Sequence, residues 1–494
     1  MNIATFALSW SPVLVLTVLA VGFKRPALEL SLYGVSFTAA LAHLVFQTPV
    51  TVILLAALDG VLTTLPLLLV VLAGIMLSNL LVATGSIQRM VDWLREGLRA
   101  PRHRHIFITL GVCNFLEGAS VIAEPLVAPM LRAAGVKPAG AAALSVIGYA
   151  GLMSLEMAGI IITVLALVTG LPLAELGAAT AWLSVPAMLA MAAWVPWFLP
   201  KLDGGWGLLP AALGGGLLVG LAALGAVLTL GVPLAGMAGG LALMAVLMLL
   251  GFKRWPGLSR LGRDLLPFAV LLVPLLLVNT VPGLKELTSR RWVIDVSVVP
   301  IHHSTLTPFF SAYLYLFAAL GVALWAARDV SWQPVLASGF RQGWRALAAM
   351  GLFGAMGQII AYSGYGDGFE RLTQAHNIPW VLAMGLKTYT GSLYPMFVPL
   401  LGWVGTFLTG YGVASLMLFG ELQVHAAALL HVSAVWLAAG LAVGSSLGSI
   451  SSPFKIAIAT PMCGALGQEG RILSRTIPLG LAASLFIGVI LWLL

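Results

Sequence analysis

Runs of about 18 or more apolar residues recur along this 494-residue chain, each long enough to cross the ~30 Å hydrocarbon core of a bilayer as a helix. Backbone in lipid must satisfy its own N–H and C=O groups, so these runs fold as helices and their breaks fall where a cavity or other protein lies beside them. Charged residues make up 9% of the chain, against about a quarter in soluble domains. The fold class is therefore an all-α polytopic membrane protein, a single integral membrane unit over 1–494. The 55 glycines and 27 prolines then serve close helix contacts and broken helices.

The formal charge of +8 does not call for a nucleic-acid partner, because the basic residues sit in short loops between apolar runs. Lys24 and Arg25, then Arg89, Arg95, Arg99, Arg102 and Arg104, then Lys253, Arg254, Arg260 and Arg263, then Arg328, Arg341 and Arg345, and finally Arg471 and Arg475 mark inner loops. This places the N-terminus outside, together with the segment 282–303. In the loop 86–105, Met90, Trp93 and Leu98 alternate with Arg and Asp, as in a helix lying on the membrane surface. The stretch 5–23 lacks a basic leader and reads as a first span, not a removable signal. Spans at 27–46 and 65–84 follow, with a stretch 49–64 between them that contains Asp59, and apolar segments are expected at about 106–131, 138–170 and 173–199. The count comes to about 12 to 14 crossings plus re-entrant pieces. Cys113 and Cys463 have no ligand spacing around them, and no phosphate-binding loop, nucleophile elbow or zinc motif occurs. No cofactor and no enzymatic activity are expected.

The stretch 114–125 stands out against this background. It holds Glu117 and Glu124 with Gly118, Ser120 and Pro125, and a carboxylate within a membrane costs roughly 3 kcal/mol on insertion scales. Gly118, Pro125 and Pro129 argue for a broken or re-entrant helix over 106–131. Both glutamates are candidate coupling-proton sites, with Glu117, just before the glycine break, the favoured one. A structural glutamate bonded to a neighbouring helix is the competing reading, and Glu156 is a third candidate.

Val112-x-x-Phe115-Leu116-x-Gly118-x-x-Val121 is echoed by Val404-x-x-Phe407-Leu408-x-Gly410-x-x-Val413. Upstream, Thr84-Gly85 and Ser363-Gly364 end spans on what the loop charges make opposite faces. Two inverted-topology repeats, about 62–200 and 345–494, joined by a central helical segment 201–344, would account for both matches and would put a solute site at their interface near the midplane. Chance similarity among common apolar residues is the alternative.

In the second half, Thr409, Gly410 and Tyr411 fall where Glu117 and Gly118 fall in the first, and Ser415 is a further candidate for binding the solute. Ser449, Ser451 and Ser452 precede a helix opened by Pro453, and Lys455 follows in its first turn. Small hydroxyls, exposed N–H groups and an ammonium together suit a small carboxylate. Otherwise Lys455 snorkels to an interface and the serines serve packing. His425, Glu421, Gln423 and Lys387 receive no assigned role, and His302 and His303 read as loop residues.

At these residues the chain resembles the L-lactate permease family, which includes lactate and glycolate proton symporters. Asn79-Leu-Leu-Val-Ala-Thr-Gly85, Phe115-Leu-Glu-Gly-Ala119, Leu401-Gly-Trp-Val-Gly-Thr-Phe-Leu-Thr-Gly410, Leu418-Phe-Gly-Glu-Leu-Gln423, and Ile450-Ser-Ser-Pro453 with Ile456-Ala-Ile-Ala-Thr460 are similar to the family's motifs and stand in its order. The departures are Val121-Ile-Ala-Glu124-Pro125 for GFGTP, Gly410-Tyr-Gly-Val-Ala-Ser-Leu416 for GSDTxSN, and Phe454-Lys455 where the family has Gln. The resemblance implies a secondary active transporter of the bacterial inner membrane. It would move a small organic anion, a 2-hydroxy monocarboxylate such as lactate or glycolate, with a proton or sodium, as a monomer or homo-oligomer. The rival reading is a proton-translocating membrane subunit of a larger complex.

Overall fold

The computed structural model describes residues 3–19, 23, 25, 27–98, 101–199, 205–251, 261–302, 305–327 and 331–494. The expected inner-loop residues Lys24, Arg99, Lys253, Arg254, Arg260 and Arg328, and the loop residue His303, lie outside them.

Two seven-residue helices, α1 (Ile3–Ser9) and α2 (Ser11–Thr17), lead into α3 (Ala27–Leu44). Next, α4 (Val50–Ala83) runs unbroken for 34 residues, about 51 Å at 1.5 Å per residue. The stretch 49–64 is thus not separate from the following span. Its buried Asp59 is tolerated because Asp59 Oδ2 accepts hydrogen bonds from Gln358 Nε2 and Tyr362 OH, both at 3.1 Å, and meets His302 Nδ1 at 2.9 Å. His302 therefore holds a buried carboxylate, a contact absent from the sequence reading. The amphipathic loop helix is α5 (Ser86–Gly97), with Ile87 and Trp93 buried. Its Arg89 grips Asp264 through Nε at 2.9 Å and Nη2 at 2.6 Å, a two-pronged geometry that fixes orientation as well as charge.

The segment around 106–131 breaks as expected. Helix α6 (Pro101–Ile106), a π-helical stretch Phe107–Val112 and α7 (Cys113–Gly118) stop at an irregular 119–123, and α8 (Glu124–Ala133) restarts. The apolar run 138–170 is not one span. It divides into α9 (Pro138–Ile147) and α10 (Ile160–Thr169) around an irregular 148–159. Glycines make the close approaches here: a Cβ on Gly148 would lie 1.9 Å from the Thr109 carbonyl oxygen, and one on Gly151 2.7 Å from the Met188 nitrogen. Helix α11 (Leu173–Phe198) closes this half.

Helices α12 (Leu209–Thr229), α13 (Ala235–Gly251) and α14 (Gly262–Thr280) form the centre of the chain, followed by the short α15 (Pro282–Glu286). A small hairpin pairs β1 (Ile294–Asp295) with β2 (Thr305–Leu306), Ile294 opposite Leu306. After α16 (Ala312–Ala326), α17 (Trp332–Ala361) lies along α4, and the two cross where a Cβ on Gly60 would be 2.2 Å from the Gly354 carbonyl oxygen. The last part comprises α18 (Ile378–Thr390), α19 (Tyr394–Thr409), α20 (Gly412–Leu430) and α21 (Ala434–Gly448). A 3₁₀ turn over Ser449–Ser451 leads to α22 (Pro453–Met462) and α23 (Glu469–Leu493).

Among the described residues, nine helices are long and apolar enough to cross a membrane, and four shorter apolar helices accompany them. The protein is a helical, multi-pass integral membrane protein.

Candidate functional site

The irregular places at 119–123 and 148–159, the kink at Gly410–Tyr411 and the start of α22 converge on one cavity of about 80 Å³. A water needs roughly 10–15 Å³ by the same measure, so the space holds several waters or one small solute. Four helices open onto it with residues of their first turns: Glu124 from α8, Ile161 from α10, Gly412 and Val413 from α20, and Phe454 and Lys455 from α22. Helix N-termini carry the positive end of the macrodipole and attract anions. Leu67, Val71 and Ile75 of α4, with Met350 of α17, make one apolar side of it.

Lys455 is the one cation in this lining among the described residues. Its Nζ donates to Tyr149 OH at 2.6 Å, and Tyr149 OH donates to Glu124 Oε1 at 2.6 Å. The direct Lys455 Nζ–Glu124 Oε1 separation is 3.5 Å, and Nζ stands 4.8 Å from the Tyr149 ring centre. Tyrosine, lysine and glutamate thus form a closed triangle in which the ammonium has both a carboxylate and a π face. Lys455 is held inside the protein and does not reach for an interface. Tyr149 went unnoticed in the sequence, where it is one residue in an apolar run.

Glu117 lies near the end of α7 and lines the same cavity. Its Oε1 accepts the Ala123 N–H at 2.7 Å, so the carboxylate bridges the break. Gly118 faces away, against α13, where a Cβ would come 2.3 Å from the Met237 nitrogen. Ser120 turns the chain with φ +61°, and its buried hydroxyl has no hydrogen-bond partner among the described residues. Glu156 is buried in the irregular 148–159, within electrostatic reach of Glu117 and Lys455 and outside the cavity lining. Met157 and Ala158 follow with φ of +52° and +53°, left-handed conformations costing on the order of 1–3 kcal/mol each.

In the second half, Gly410 adopts φ +82° against Phe454, and Tyr411 stacks obliquely on Phe454 with ring centres 4.8 Å apart. The Tyr411 hydroxyl is buried without a hydrogen bond among the described residues, and Tyr411 lines the cavity. Thr409 is committed to its own turn through Gly405 and Tyr411 carbonyls, and Ser415 donates to the Gly402 carbonyl at 2.8 Å. Ser449 contacts Met153 Sδ, whereas Ser451 accepts from Trp403 Nε1 and donates to the Thr476 carbonyl. Ser452 caps α22 by accepting the Lys455 N–H at 3.4 Å. Of the expected second-half residues, Tyr411 and Lys455 reach the cavity; Thr409, Ser415, Ser449, Ser451 and Ser452 are bonded elsewhere and do not line it. Another serine pair ties the two halves together: Ser154 Oγ and Ser446 Oγ lie 2.7 Å apart.

The L-lactate permease family model matches residues 5–257 and 295–494. Over 93% of its length the chain is 27% identical to an L-lactate permease of Salmonella typhimurium, covering 90% of that protein. It is 26% identical to an L-lactate permease of Escherichia coli K12 over the same shares, 93% of this chain and 90% of the relative. A glycolate permease of Escherichia coli K12 is 36% identical over 122 residues, 25% of this chain and 22% of that protein.

Proposed function

Because this chain belongs to the L-lactate permease family, we propose that it carries a small 2-hydroxy monocarboxylate, lactate or glycolate, across the bacterial inner membrane together with a proton. A family of permeases makes the chain a transporter and not an enzyme. One observation carries the anion and the proton together: Lys455, Tyr149 and Glu124 form a triangle on a solute-sized cavity at which four helices begin.

In this reading the substrate carboxylate and the Glu124 carboxylate compete for one ammonium. A proton on Glu124 frees Lys455 for the substrate. Adding an anion to a buried site that already holds Glu117 and Glu124 would leave further charge unmatched, at a cost of several kcal/mol; the accompanying proton cancels it. Glu117, favoured on the sequence alone, bridges the break through Ala123 and keeps the site's geometry, with Glu124 the group that exchanges the proton. The apolar faces of α4 and Phe454 would receive the substrate's hydrocarbon part.

The experiment is uptake of labelled L-lactate and glycolate by the purified protein in vesicles, under an inward proton gradient. Accumulation above the outside concentration, abolished by a protonophore and indifferent to sodium, is the expected result. Accumulation that follows a sodium gradient would overturn the coupling, and no uptake of either acid would overturn the substrate. A protein that works alone in vesicles also disposes of the rival subunit reading.

We read 62–200 and 345–494 as inverted repeats. The order supports it: α9, an irregular segment, α10 of 10 residues and α11 of 26 parallel α21, a short turn, α22 of 10 residues and α23 of 25. Reporter tags inserted after Gly85 and after Gly364 are expected on opposite faces of the membrane; tags on the same face would rule the inversion out.

A further inference from the structure

A second, larger cavity of about 500 Å³ lies beside the first, and Met157 lines both. The two share walls in a regular way. On α4, Leu67 and Val71 face the carboxylate–lysine cavity while Thr63, Pro66 and Val70 face the larger one. On α10, Ile161 faces the first, and Ile160, Thr163 and Val164 face the second. One helical face apart, the same two helices bound both spaces, and Met157 stands at the seam.

The larger cavity is wetter in character. Thr63, Thr163, Asn279, Thr305, Thr307 and Ser311 contribute polar groups, and Lys285 is its one charged lining residue among the described residues. Lys285 is exposed on α15, within the segment 282–303 that the loop charges place outside. A single cation at the mouth of a low-dielectric cleft raises the local concentration of anions. The seam itself is held in an unusual conformation: Met157, Ala158 and Gly159 have φ of +52°, +53° and +74° in succession. Backbones held in such conformations persist only where the surrounding structure enforces them, and they cluster at active sites, ligand clamps and switch regions.

We propose that the larger cavity is an antechamber that binds small carboxylate anions on their way to the Lys455 site, with Lys285 as its capture residue and Met157 as the gate between the two chambers. This rests on the transport reading above. The anion first replaces bulk water beside Lys285, then passes when the 157–159 turn relaxes and the Met157 side chain leaves the seam.

The test is initial-rate uptake in vesicles at low ionic strength. Lys285→Gln should raise KM roughly three- to tenfold with kcat within about twofold, and Lys285→Arg should restore KM. In about 1 M salt, where the Debye length is ~3 Å, the difference should vanish. As a second readout, a negatively charged, membrane-impermeant thiol reagent added from outside should block Met157→Cys, and excess substrate should slow the block; native Cys113 and Cys463 are buried. An unchanged KM in Lys285→Gln at low salt, or a Met157→Cys protein that the reagent leaves fully active, overturns the antechamber. Failure of the wild-type protein to transport any carboxylate would instead overturn the function, so the two failures are distinguishable.

Discussion

Lys455→Met should reduce L-lactate uptake at least about a hundredfold while the protein still inserts and purifies. The substitution preserves the length of the side chain and removes the one cation lining the cavity among the described residues. It leaves Glu124, 1% exposed, facing Tyr149 alone. Removing one partner of a buried, hydrogen-bonded charge pair between protein and ligand costs about 2–5 kcal/mol or more of binding, and each 1.4 kcal/mol is about tenfold, so a loss of about 3 kcal/mol or more is about a hundredfold or more in affinity. Thermal unfolding in detergent reports the binding half separately: lactate should raise the Tm of the wild-type protein and leave that of Lys455→Met unmoved. Lactate stabilising both proteins equally would remove Lys455 from the substrate site.

Glu124→Gln should separate exchange from accumulation. The amide keeps an oxygen for the Tyr149 hydroxyl and never competes with the substrate as a charge. Swapping internal for external lactate should persist within a few-fold, while accumulation driven by a proton gradient should disappear. The sign in pH follows from the competition for Lys455. In the wild-type protein the proton-bearing form is the one that accepts the anion, so uptake falls as the outside pH rises; in Glu124→Gln that dependence should flatten. If Glu124→Gln still accumulates lactate and Glu117→Gln does not, the coupling group is Glu117.

The sequence was most readable where chemistry and backbone breakers coincide. Glu117-Gly118 and Glu124-Pro125 are polar interruptions of an apolar run, and both the break and the cavity lie there. Lys455 was visible because Ser452-Pro453 announces a helix start, and Ser452 does cap α22. Tyr149 was not visible. Its two partners are 25 and 306 residues away, and nothing nearby marks it as polar machinery. The irregular 148–159 was hidden for a related reason: its cause is the close approach of Thr109 and Met188 to glycines, a tertiary fact. The hydroxyls of Ser449 and Ser451 were grouped with Lys455 because they are neighbours in sequence, yet a short 3₁₀ turn sends them to Met153 and Thr476. In the sequence Asp59 is one acidic residue in the stretch 49–64, and only the arrival of Gln358, Tyr362 and His302 makes it an interior residue.

The crossing of α4 and α17 limits how the two halves of the chain can move. At Gly60 and Gly354 the backbones touch with no side chain between them, each lacking room for a Cβ. Thr64 also stands against Gly354, and further along Gly343 lies against Ile75 and Gly339 against Met76, so the two helices are packed over several turns and not at one point. Close-packed elements transmit strain: a displacement of one carries the other with it, and the wall that Leu67, Val71 and Met350 give the cavity shifts as one piece.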